Sequence, residues 1–163
     1  MNIKFVSDSG SNDFSKAVTE YETIWQSHGE KMIKAWQDAT GFVFVEKEII
    51  VTIFEGPSSA WPAMKLRASY SYDQKKSTFT HELGHVLLYS HKITKKSSLE
   101  NHKELFLIFI DILRELYGDQ FTKETIEYES SLSLVYKEAW DFALSFKTKE
   151  ERQKKFKEMM AVN

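Results

Sequence analysis

The stretch THELGHVLLYSH, residues 80–91, limits what this chain can fold into more than any other segment. From Ser77 to Ser90 the only acidic or basic side chain besides two histidines is Glu82. Apolar runs normally exclude glutamate, because an unpaired buried charge is costly. At about 100° per residue, His81 and His85 fall one turn apart on one helix face and Glu82 flanks it. Phe79, Leu83, Val86, Leu87 and Ser90 gather on the opposite side. The pattern predicts a helix over about 77–91 with a buried apolar back and two imidazoles aimed at a shared partner. A divalent ion such as zinc suits that pair, and the adjacent carboxylate is placed to take a proton from an activated water. Gly84, a poor helix former, would admit close approach by a neighbouring element.

Composition decides which partners remain. The 163 residues allow one domain with a real core, and 42% apolar with 14% aromatic residues argue for a folded chain. With no cysteine, neither disulfides nor thiolate ligands exist, so a metal must be held by His, Asp or Glu. A net charge of −2 gives no basic footprint for nucleic acid and no cationic surface for membranes. MNIKFVSDSG lacks the apolar centre of a signal peptide, and no apolar run approaches spanning length. The expectation is a soluble, cytoplasmic protein.

Around the motif, NIKFV (2–6) alternates like a strand, and Asn12 or Asp13 is placed to cap a long helix over about 13–39, stopped by Gly41. FVFVEKEIIVTIF (42–54) reads as one strand, or two with a turn near Lys47. EGPSSAWP (55–62) reads as a loop, and Met64 to Tyr72 alternate like a further strand. DQKK (73–76) then turns the chain into the motif helix. Helices are expected over about 98–117, with a Ser97–Glu100 capping box, and over about 122–146. TKEERQKKFKEMM reads as a charged, solvated amphipathic tail, and Asp111 falls on a polar face with Glu104 and Glu115. No repeat or composition break marks a second domain, so residues 1–163 form one unit.

STFTHELGHVLL resembles the active-site helix of the zincin metallopeptidases. The resemblance is specific over about a dozen residues and architectural elsewhere. It implies an α+β, mainly helical domain with a small N-terminal sheet packed on the motif helix. It also implies an edge strand, from 48–54 or 64–72, that binds substrate in extended form, with GPSSAWP on the rim. The implied activity is zinc-dependent hydrolysis of peptide or protein substrates, with Glu82 as general base and acid.

Zincins need a third protein ligand. Glu129, on the edge of the 122–146 apolar stripe, fits the gluzincin pattern, and the compactness is similar to that of the minigluzincins. Glu138 in YKEAWDF is a rival, though it shares its flank with Glu124, Glu127 and Asp141. His91 sits where metzincins place a third histidine, but Leu88 stands where those families have a glycine turn. His102, on the apolar face of the 98–117 helix, reads as a hydrogen-bonded core residue, an alternative ligand or a donor to the developing oxyanion. Two further readings stay open. One is a catalytically silent, zinc-binding regulatory or interaction protein, whose cleft a protein partner or a second copy completes. The other is a plain scaffold in which the histidines only pack.

Overall fold

A computed structural model describes residues 1–8, 14–93 and 97–161. The fold is α+β and 69% helical, with one small parallel sheet. Strand β1 (Asn2–Ser7) is followed by helix α1 (Ser15–Thr40), β2 (Glu48–Phe54) and β3 (Lys65–Arg67). Four helices complete the chain: α2 (Tyr72–Ser90), α3 (Ser98–Leu132), α4 (Leu134–Ser145) and α5 (Lys149–Ala161).

The sheet order is β1-β2-β3, with Phe5 opposite Val51 and Ile53 opposite Leu66. Parallel neighbours cannot be joined by a tight hairpin, and α1 supplies the crossover between β1 and β2. Period-two alternation gives the sheet its inner face: Ile3, Phe5, Val51, Ile53 and Leu66 are buried. Phe5 stacks on Tyr21 of α1 at 6.0 Å and meets Phe79 of α2 edge-on at 5.5 Å. The α1 stripe of Tyr21, Ile24, Met32 and Trp36 is fully buried, and Gly41 ends the helix in the left-handed region at φ 79°. The proposed caps Asn12 and Asp13 lie outside the described residues.

Several boundaries differ from the sequence reading, each for a local reason. Residues 42–46 alternate but pair with no strand among the described residues, and only Lys47 O meets β1, accepting from Asn2 N–H at 2.8 Å. Val43 and Val45 are exposed, while Phe44 N–H bonds Gln37 Oε1 at 3.2 Å. The third strand stops at Arg67. Ser69 is then held by Glu55, and Ser71 forms a reciprocal capping box with Gln74. Residues 73–76 are therefore the first turn of α2 rather than a bend before it.

The expected 122–146 helix is broken at Ser133, which is extended at φ −164°, ψ 159° and caps Tyr136 N–H. Its first half continues α3 beyond a kink at Gly118, where φ is 86° and ψ 172°. Ser97 accepts from Glu100 N–H as expected.

The central stretch of α3, Leu105 to Leu113, is buried on every side. Asp111 lies within it, correcting the solvent-exposed reading. Arg152 of α5 grips both its oxygens, at 2.6 and 2.9 Å. The supposed solvated tail therefore docks, burying Arg152 and Phe156 against the core. No helix among the described residues is long and apolar enough to cross a membrane.

Candidate metal centre

Helix α2 passes through the middle of the molecule, and its motif turn is almost entirely buried. Gly84 is where the packing is closest. A Cβ there would run into the Trp36 indole and the Leu105 side chain, so the expected close approach is present. Trp36 donates from Nε1 to Thr80 O at 3.0 Å, fixing α1 against the turn that carries His81.

His81, His85 and His102 come together. One ring nitrogen from each lies within 4.8 Å of the others, and all three residues are buried. Ring centroids are 4.9 Å apart for His81–His85, 5.4 Å for His81–His102 and 5.1 Å for His85–His102. Tetrahedral zinc with nitrogens at about 2.0–2.1 Å needs N···N separations of about 3.3 Å, so modest side-chain adjustment closes the set.

The tautomers favour it. His102 Nδ1 donates to Ser98 O at 2.7 Å, which leaves its Nε2 as the free lone pair. His81 Nδ1 stands 3.6 Å from Glu129 Oε1, while His81 Nε2 is buried with no hydrogen-bond partner. An orphaned, buried imidazole nitrogen beside two others is chemically suited to a cation.

Electrostatics within the group are uneven. Burial drives the His85 pKa well below the usual imidazole value, with positive charge at His81 and His102 adding to the effect. Burial lowers His102 to about 4, helped by His81 and opposed by the bond to Ser98. Burial also acts to lower His81, but the hydrogen bond and charge of Glu129, with Glu82, outweigh it and leave His81 raised. Neutral imidazoles are the ligating form, so two of the three are held ready. Glu82 is pushed up to about 7, first by burial and also by Glu129, against the pull of His81.

The candidate third ligands separate clearly. Glu129 is buried beside His81 but outside the three-imidazole group. Its Oε2 accepts from Trp140 Nε1 at 3.0 Å. That bond spans the Ser133 break. On one continuous helix, eleven residues would lie about 16 Å apart along the axis, beyond any side-chain contact. Glu138 is exposed on α4 and is corrected out of the site. His91 is also corrected. It ends α2, stacks on Phe42 at 4.7 Å and has Nε2 2.8 Å from Val43 O, away from the group.

A cleft of about 200 Å³ opens on this centre. His81, Glu82 and Glu129 lie in its lining, with Ser58 from the 55–62 loop, Tyr70, Tyr128 and Tyr136 around them. Tyr136 is pinned by its ring against His102 at 4.6 Å and His81 at 5.9 Å.

The expected substrate edge shifts as well. Ser59 exchanges both backbone hydrogen bonds with Lys65, at 2.8 and 2.9 Å, antiparallel to β3. Ser58 Oγ also takes Arg67 N–H at 3.1 Å. The outer side of β3 is thus covered, and the edge moves to the loop segment around Ser59, where Ser58 is half-buried and Ala60 buried. The conjunction of His102 with the motif was signalled in the sequence only by its place on an apolar helix face. Trp140 as the partner of Glu129 was not signalled.

Comparison of the chain with protein-family models, with curated proteins and with solved structures gave no match.

Proposed function

We propose that this protein is a zincin-like, zinc-dependent peptidase in which His81, His85 and His102 hold the metal. The observation that carries the reading is the buried three-imidazole group, with His81 Nε2 unpartnered, standing beside Glu82 at an open cleft. Zinc bound there supplies Lewis-acid polarisation of the scissile carbonyl and a more acidic water.

The chain's own residues do the rest. Glu82 takes the proton of the attacking water and returns it to the leaving amine. Its buried setting raises its proton affinity toward neutrality, which suits a base that must also act as an acid. Glu129 acts through His81: from the Nδ1 side it fixes the ring's tautomer and orientation, while Trp140 fixes Glu129. Ser58, which lines the cleft and makes no backbone–backbone hydrogen bond among the described residues, offers its N–H and C=O groups to an extended peptide.

A silent zinc-binding regulatory protein is the second reading. The modest cleft favours it, about 200 Å³ against roughly 300–1,000 Å³ for ordinary small-molecule sites.

The test combines metal content by elemental mass spectrometry with hydrolysis of an unfolded protein. The expected result is close to one zinc per wild-type chain, loss in His102→Ala, and a Glu82→Gln variant that keeps zinc but not hydrolysis. No uptake by wild type supplied with zinc overturns the reading. Zinc without sustained hydrolysis selects the regulatory alternative.

A further inference from the structure

We infer that a second cavity beside the metal cleft sets substrate preference, and that it takes an uncharged side chain that both donates and accepts hydrogen bonds, glutamine above all. This rests on the peptidase reading of the metal centre and adds the substrate class to it.

The helices that carry the centre also place this cavity. It measures about 260 Å³, lies between the first turns of α2 and the part of α3 beyond Gly118, and shares Tyr128 with the cleft. Ser77 and Thr125 line it, each four residues before a residue of the centre, His81 and Glu129 respectively. Four residues are about 6 Å of helix rise, so the cavity begins one turn from the metal group. Tyr70, on the cleft side, meets Tyr128 edge-on at 6.4 Å, so the two spaces adjoin across one pair of phenols. A long side chain next to a bond held at the metal points into it.

Its walls hold unspent hydrogen-bonding capacity of both kinds. Thr125 is only 6% exposed, lines the cavity, and its hydroxyl has no hydrogen-bond partner among the described residues. Ser77, also buried, donates from Oγ to Gln74 O at 3.1 Å, which leaves its lone pairs to accept. Gln74 spends its side-chain oxygen on Ser71 N–H at 2.9 Å, which leaves its NH2 group to donate. A primary amide answers this set: its carbonyl accepts from Gln74, and its NH2 donates to Ser77 and Thr125. An apolar side chain would displace water and leave the same groups unpaired, which is how a hydrogen-bonding site rejects the analogue that lacks the bond.

Charge excludes the ionised alternatives. An acidic side chain would meet Asp73 and Glu124 in the cavity after passing Glu82 and Glu129 in the cleft, and no lysine or arginine lines either space among the described residues. A basic one would meet a cation already in place. Asp73 is paired with Lys76 at 2.7 Å, and the Lys76 ammonium stands 4.7 Å from the ring of Phe121, which lines the cavity. Glu124 is exposed and takes a hydrogen bond from Gln120 at 2.6 Å, so its charge lies at the rim, screened by water. The interior that remains is neutral and polar.

The test uses four end-blocked peptides of one length in which both residues about the central bond are glutamine, methionine, glutamate or lysine. Binding to zinc-loaded Glu82→Gln protein is read by isothermal titration, and cleavage by wild type through kcat/KM. Glutamine is expected to exceed methionine, its apolar near-isostere, by about tenfold or more in both, with glutamate and lysine no better than methionine. Thr125→Val keeps the shape and loses the hydroxyl. It is expected to cut the glutamine-to-methionine ratio several-fold, with zinc content and turnover of the methionine peptide unchanged, and Thr125→Ser is expected to restore the ratio. A ratio that Thr125→Val does not move, a preference for methionine, glutamate or lysine, or equal handling of all four overturns the inference and leaves the metal centre standing. Glutamine-selective binding without cleavage by zinc-loaded wild type keeps the pocket and removes the peptidase reading.

Discussion

Two buried polar groups sit on the same helix, and only one is self-sufficient. Asp111 and Arg152 neutralise each other through two hydrogen bonds, and Arg152 Nη1 also donates to Phe146 O at 2.9 Å. Some ten residues away, His102 joins His81 and His85 in a group that leaves a buried nitrogen unpartnered beside two carboxyls. A complete ion pair fastens one element to another. An incomplete cluster, buried and held in place by Trp36, Trp140 and Ser98, is arranged around something the chain does not itself provide. The contrast between closure and vacancy of bonding capacity is the physical ground for treating one as structural and the other as a site.

The strongest way to break the comparison is at the closed pair. Arg152→Ala strands the Asp111 carboxylate in the core and is expected to cost about 3–5 kcal/mol in urea unfolding. Metal uptake by the fraction that remains folded should be unchanged. Loss of zinc without loss of stability would mean that the pair belongs to the site.

At the open cluster, removing charge from metal-free protein should have the opposite sign. Folded Glu82 holds its proton up to about pH 7, against 4.5 for an ordinary glutamate. Between those values the folded state binds more protons than the unfolded one, so stability falls as pH rises through the window. Chelator-treated Glu82→Gln is therefore expected to be more stable than wild type at pH 8, by about 3 kcal/mol. The gap should shrink to its minimum below pH 4.5. A constant difference across pH would show that Glu82 ionises freely in the fold.

The smallest effect is expected at Glu129. Replacing it with Gln keeps a hydrogen-bond acceptor for Trp140 but removes the charge facing His81. Zinc affinity is expected to fall about 10–100-fold, read by chelator competition, with little change in unfolding of the metal-free chain. A complete loss of zinc would instead make Glu129 a direct ligand.

The faces of the helices were legible because each is set by local periodicity. The α1 stripe, the buried back of α2, the one-turn spacing of His81 and His85, and the close approach at Gly84 all follow from neighbours within a few positions. Features set across distance were not legible. Asp111 and Glu104 share a polar wheel position with Glu115, yet both are buried, Asp111 against Arg152 forty-one residues later in a strongly charged segment. The Ser133 break was hidden because Val135, Tyr136, Ala139 and Phe142 continue the apolar stripe beyond it. Glu129 could be picked out as the isolated charge on its flank, but its position beside His81 rather than within the imidazole group depends on how α3 and α4 fold back on each other. His102 carried a signal of its own, an imidazole on an apolar face, and lacked only the information that two more imidazoles lay opposite.

The bridge at Ser59 also makes the sheet a poor template for its own kind. An exposed strand edge invites a second chain to add on, and long flat edges are where soluble proteins begin to aggregate. Here the outer side of β3 is already occupied by Ser59, and Pro62 beyond it has no N–H to offer. At the far side, β1 keeps Lys4 on its exposed face, paired with Glu48 at 3.6 Å. The segment that covers β3 therefore also bears on self-association. Losing the Ser59 bridge would reopen that edge to a second chain before it changed any chemistry.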